Sequence, residues 1–111
     1  MTTGPVRVGM IARLRPEKRA EYLELHAAVW PHVEAVTSAA GIRDFTISIL
    51  GDVIVGTYDY VGDDLDAAQA RMEADPVMQD WWRLTSACQI PFREGSGLPN
   101  WERMTEVWHL D

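Results

Sequence analysis

Cysteine is almost missing: Cys88 stands alone, so no disulfide can form within the chain. That fits a reducing compartment. No Cys-x-x-Cys pair occurs, and the histidines are few: His26, His32 and His109. His26 and His32 fall on different sides of a helix, unlike an i, i+4 ligand pair, so no metal site is expected. Basic charge is scarce, with Lys+Arg 10 against Asp+Glu 17 and a net charge of −7. Phosphate binding needs a basic footprint, so nucleic acid is excluded as a main partner and an anionic membrane surface is disfavoured. An acidic balance suits a neutral substrate and good solubility. No apolar run approaches the ~20 residues of a membrane span. Met1–Pro5 is too short and too polar for a signal peptide. The expected location is therefore the cytoplasm. Phosphate loops, GxSxG and GxGxxG are also absent, which leaves no sign of a nucleotide cofactor.

What is present is an ordinary globular composition, 47% hydrophobic and 24% charged over 111 residues. The expectation is a single domain, 1–111. A chain of this size buries ~65% of its unfolded surface and often gains stability from a second copy. Val6 to Leu14 alternates in the manner of a strand, with Val6, Val8, Met10, Ala12 and Leu14 on one side. Pro16 suits a first helical turn, and the spacing predicts a helix from about Pro16 to Trp30. Pro31 either kinks it or starts a second segment to about Ala40, with Gly41 as the stop. Phe45–Leu50 and Val53–Tyr60 read as strands joined by a tight turn at Gly51-Asp52. Asp63 or Asp64 can cap a helix to about Ala74, and Asp75-Pro76 starts another that carries Trp81 and Trp82. Pro91–Asn100 is a loop, and Met104–Leu110 is expected as the last strand.

The order is β-α-β-β-α-β: an α+β, ferredoxin-like pattern with helices on one face of an antiparallel sheet. Two helices cover only one face. Val53–Val55 is apolar at successive positions, with Tyr58 and Tyr60 on the alternate side, so both faces of the central strands carry apolar surface. The uncovered face calls for a partner, and a homodimer with facing sheets is expected.

Tyr22, His26 and Trp30 lie four apart and share one helical stripe. An imidazole can exchange protons near neutral pH, a phenol can hydrogen-bond hydroxyls, and an indole can stack on a sugar ring. The competing reading is an amphipathic helix whose polar tips reach solvent. Trp81 and Trp82 point about 100° apart on a helix, so one can pack in the core while the other lines a pocket. Five tryptophans in so short a chain favour a binding role for some of them. Cys88, where a helix ends, reads as a packed thiol rather than a nucleophile. His32 reads as a solvated residue, and Asp63, Asp64 and Asp66 as caps and solvated charge.

Tyr22-x3-His26-x3-Trp30-Pro31, Gly41, Trp81-Trp82 and the closing Glu106-Val107-Trp108-His109-Leu110 together resemble the L-rhamnose mutarotase family. The resemblance runs from about Val6 to Leu110. It implies a dimeric α/β barrel on the ferredoxin-like fold and a cofactor-free enzyme that interconverts the α and β anomers of L-rhamnose, a monosaccharide. It also implies His26 as the catalytic acid and base, Tyr22 as a substrate-contacting phenol, and Trp81 and Trp82 as the paired tryptophans of the sugar pocket. Phe45 falls where the family often has a substrate-touching tyrosine, so the sugar hydroxyl read there loses its partner. The complementary base is not assigned; water or a residue near Glu106 are the candidates. The alternatives are a cofactor-free monooxygenase on the same dimeric barrel, which an apolar pocket would favour, and a non-catalytic sugar-binding domain.

Overall fold

Alternation along β1 (Val6–Leu14) turns Val8, Ala12 and Leu14 inward, and these three are buried. The computed structural model describes residues 6–97 and 99–110, so the Met1–Pro5 stretch lies outside the described residues. After β1 comes a 3-10 turn at Pro16–Lys18 and helix α1 (Arg19–Ala27), then helix α2 (Pro31–Ala39). The expected single helix to Trp30 is therefore shorter. It ends at Ala27, and Trp30 is extended at φ −62, ψ 131. A residue before proline is pushed out of the helical region, and Pro31 then serves as the first residue of α2. Gly41 follows at φ +97, a backbone that only glycine adopts cheaply.

Strands β2 (Ile42–Leu50) and β3 (Val53–Tyr60) form the expected hairpin through Gly51-Asp52. Helices α3 (Leu65–Glu73) and α4 (Pro76–Ser86) begin at the predicted aspartates. The Asp64 side chain accepts from the Ala67 N–H at 3.0 Å, and Asp75 accepts from Val77 and Met78 at 2.9 and 3.0 Å. Two short strands close the sheet, β4 (Gln89–Ile90) and β5 (Glu102–Met104).

The sheet runs in the order β2-β3-β1-β4, wholly antiparallel, with β5 also on β1. This is the expected ferredoxin-like α+β arrangement, with its fourth strand in two pieces. Residues 91–97 and 99–101 loop out between them, pinned where Arg13 donates to the Phe92 carbonyl at 3.0 Å and stacks over the Phe92 ring. The predicted strand Met104–Leu110 is corrected accordingly: regular pairing stops at Met104. Beyond it Val107 and Trp108 are 92% and 75% exposed, so extending the ladder would bury no apolar surface within this chain to offset the ordering cost.

The helices pack on the face that carries Val8, Ile42, Tyr58 and Tyr60, joined in one core by Val33, Met72, Met78 and Trp81. The opposite face carries Ile11, Val53 and Val55, all only partly buried, with Met104 laid across Gly9. Among the described residues no helix is long and apolar enough to cross a membrane.

Candidate active site

The three-to-four residue spacing in α1 places Tyr22 directly beneath His26, and their ring centroids are 4.3 Å apart. Nδ1 of His26 lies 2.9 Å from the Tyr22 carbonyl oxygen. A carbonyl only accepts, so Nδ1 carries a proton and donates it there. Nε2 is then the nitrogen left to gain or lose a proton. On its other side His26 meets the edge of Trp81 at 5.3 Å, and Trp81 in turn meets Trp30 at 5.2 Å. The imidazole is thus gripped between two aromatics from different helices.

Tyr22 is only 2% exposed, and its hydroxyl accepts from Gln89 Nε2 at 3.4 Å. Burial raises its pKa to about 12, partly opposed by the Gln89 hydrogen bond. Tyr22 is therefore a neutral phenol at physiological pH. Because an amide NH2 can only donate, the phenol oxygen accepts from Gln89 and its own proton is directed elsewhere.

These residues border a cavity of about 500 Å³ between the helices and the sheet. Its near wall is Tyr22, His26, Trp81 and Trp82; its far wall is Ile42, Phe45, Ile47 and Ile49 of β2. A bulge produces that far wall. Ile42 opposes Tyr60 and Ile47 opposes Gly56, so β2 spends one residue more than β3 between the two rungs. The extra residue sits at Asp44, with φ +52. The bulge shifts the alternation, so Phe45, Ile47 and Ile49 join Ile42 on the same face. Gly56 leaves room for this: a Cβ there would lie 3.1 Å from Met10 Cε and 3.5 Å from Phe45 Cε1. The Phe45 ring rests against Tyr58, with centroids 5.4 Å apart.

The structure thus gathers Tyr22, His26, Phe45, Trp81 and Trp82 around one chamber. Trp81 is at once buried and part of the wall; its neighbour Trp82, 37% exposed, lines the chamber as well. Trp30 is not among the residues that border the chamber and instead packs behind Trp81. Glu106 does not border it either, whereas Glu34 on α2 does. Sequence reasoning also missed Gln89, Trp101, Thr37 and Thr85, which contribute further lining. Gln89 arrives only because β4 pairs it with Leu14, a contact no local pattern announces. The surplus of tryptophans was the one signal that pointed toward Trp101.

Two other sequence readings resolve outside the chamber. Cys88 is fully buried, its thiol donating to the Leu84 carbonyl, and burial raises its pKa, as suits a packed thiol. His32 is not simply solvated: its Nε2 lies 2.9 Å from Asp75 and ties the start of α2 to the cap of α4.

The sequence model of the L-rhamnose mutarotase family matches residues 7–110. An L-rhamnose mutarotase of Burkholderia cenocepacia is 35% identical, over 88% of this chain and 91% of its own length. One from Burkholderia orbicola is 34% identical, over 89% of this chain and 92% of its own. The crystal structure of an L-rhamnose mutarotase from Formosa agariphila superposes with a TM-score of 0.73 at 16% identity, covering 96% of this chain and 99% of that one. A dimeric ferredoxin-like protein from an uncultured marine organism superposes at 0.57 and 14% identity, over 96% of this chain and 94% of its own. At these identities the structural likeness speaks for the fold alone.

Proposed function

The chain belongs to the L-rhamnose mutarotase family, and on that premise we propose that it interconverts the α and β anomers of L-rhamnose by acid and base catalysis. One observation carries the assignment of roles. The Tyr22 carbonyl holds Nδ1–H of His26 whether the ring is neutral or charged, so Nε2 is the nitrogen that exchanges protons with a bound sugar.

The reaction needs two proton movements. Charged His26 gives its Nε2 proton to the ring oxygen as the bond from that oxygen to C1 breaks. The anomeric hydroxyl loses its proton to a base as C1 becomes an aldehyde. Glu34 is the carboxylate among the residues lining the chamber, and it takes that role. Rotation about C1–C2 turns the aldehyde over. Closure reverses both transfers: the chain hydroxyl returns its proton to His26, and the carbonyl oxygen takes one from Glu34. Atoms and charge balance without any cofactor. Tyr22, neutral and with its hydroxyl oxygen occupied by Gln89, donates to a sugar oxygen. Trp81 and Trp82 supply the flat apolar wall on which the pyranose stacks. Polar groups elsewhere in the lining, among them Tyr22, Glu34 and Thr85, suit a sugar better than the wholly apolar pocket that an aromatic oxygenase substrate would require.

The functional unit in this proposal is a homodimer formed through the helix-free sheet face that carries Ile11, Val53 and Val55. The single buried thiol and the neutral sugar substrate suit an enzyme of the cytoplasm.

Exchange NMR of the anomeric protons of L-rhamnose tests the proposal. With protein the α/β exchange should quicken, and His26→Ala should remove ~10²–10⁴-fold of that gain while remaining folded. Full activity in His26→Ala would remove His26 from the mechanism. No acceleration with any monosaccharide would leave a sugar-binding domain.

A further inference from the structure

The chamber beside His26 does not end at its apolar far wall. Ile42, Phe45, Thr85 and Gln89 also border a second cavity of about 790 Å³, as do Trp82 and Trp101. This second space reaches Tyr58 on the sheet and Gln69 and Glu73 on α3. Asn100 and Arg103, brought in by the ends of the looped segment and β5, complete its polar edge. Asn100 is held in place by donating to the Ser86 carbonyl at 3.1 Å. The two cavities therefore adjoin along an aromatic seam, one end carrying the proton-transfer groups and the other two amides, a carboxylate and a guanidinium.

We propose that the second cavity is a subsite for another sugar residue, so that the substrate class extends to reducing disaccharides ending in a 6-deoxyhexose. The proposal rests on the mutarotase reading of the first chamber. Size is the first argument. At a liquid-water share of about 30 Å³ per non-hydrogen atom, the roughly 11 such atoms of a 6-deoxyhexose need no more than ~330 Å³. The first chamber alone meets that need, and the adjoining space is larger still. Chemistry is the second. Trp82 and Trp101 offer flat apolar surfaces at the junction, where a glycosidic linkage would pass. Gln69, Asn100, Glu73 and Arg103 supply both donors and acceptors, which matches a neutral ring of hydroxyls rather than an ion of either sign. The reaction itself imposes no bar. It needs a free hemiacetal at C1 of the residue beside His26, and a substituent on the distant side of that ring takes no part in either proton transfer.

The test is exchange NMR on two substrates, L-rhamnose and a rhamnosyl-rhamnose disaccharide with a free reducing end. Both should exchange faster, with the disaccharide at least as efficient as the monosaccharide. Arg103→Ala and Glu73→Gln should raise KM for the disaccharide ~10-fold and leave rhamnose unchanged. If either variant fails to fold, competition on wild-type protein decides. The methyl glycoside of the disaccharide cannot open, and it should inhibit rhamnose exchange more tightly than the methyl glycoside of rhamnose. Acceleration of rhamnose alone, with equal inhibition by the two glycosides, overturns the subsite and leaves the mutarotase reading intact. Acceleration of neither substrate overturns that reading and the subsite with it. Equal effects of the variants on both substrates also overturn the subsite.

Discussion

Replacing Tyr22 by Phe removes one oxygen and keeps the ring that stacks on His26, so it isolates the phenol. Its partner Gln89 is 5% exposed, and its Nε2 loses an acceptor. An unsatisfied buried donor costs about 1–3 kcal/mol. The bond is 3.4 Å long, beyond the usual ~2.7–3.2 Å, and Gln89 borders a cavity that water can enter. The low end applies, about 1 kcal/mol, equivalent to about 4 °C in Tm for a domain of this size. Gln89→Leu should cost a similar amount by orphaning the phenol. The double variant should cost about as much as one single change, since neither polar group is then left unpaired. Urea unfolding of the four proteins reads this coupling. Activity should behave differently: Tyr22→Phe loses ~10-fold or more in kcat/KM, and the double variant does not recover it. The alkaline side has a definite sign. The folded pKa of about 12 lies above the unfolded ~10, so the contribution of neutral Tyr22 is complete below pH ~10 and is lost as pH rises toward 12. Tyr22→Phe should lack that loss. Strictly additive destabilisation would refute the Tyr22–Gln89 pair, and full activity in Tyr22→Phe would refute the phenol's role toward the sugar.

Acid should act through Asp75, whose carboxyl is held below its ordinary 3.8 first by the His32 hydrogen bond and then by the Met78 N–H. Its contribution is present above that ordinary value and is lost as pH falls through the lower folded value. The deficit of Asp75→Ala against wild type, measured as a urea midpoint at pH 7 and again at pH 3, should therefore narrow in acid; a constant gap would contradict the linkage. Gly41→Ala forces a side chain into φ +97 with its Cβ 3.1 Å from the Tyr60 ring, and should cost at least about 1–2 kcal/mol. Gly51→Ala, at φ +60 with open space around it, should cost less, and an equal loss at the two sites would mean that the Tyr60 contact adds nothing. Val55→Lys places a charge on the helix-free sheet face and should convert a dimer to a monomer in sedimentation equilibrium. A monomeric wild type would end the dimer proposal.

Local chemistry made much of this legible in the amino-acid order. Alternation marks β1, the Gly51-Asp52 turn marks the hairpin of β2 and β3, aspartate before a helical run marks the starts of α3 and α4, and Gly41 marks the end of α2. Each depends on a few neighbouring residues and on backbone preferences that hold in any context. The i, i+4 spacing likewise puts Tyr22 and His26 on one face before any tertiary contact exists. What only the folded chain decides is long-range. The bulge at Asp44 turns Phe45 toward the chamber, because β3 dictates the pairing of β2 on both sides of it. The pairing of Gln89 with Leu14 brings an amide to a phenol 67 positions away in sequence. The loop between β4 and β5 delivers Trp101, and the closing run that reads as a strand loses its pairing after Met104. A period-two pattern states which face a strand would bury. Whether a neighbouring strand and a buried face exist to receive it is a property of the whole fold.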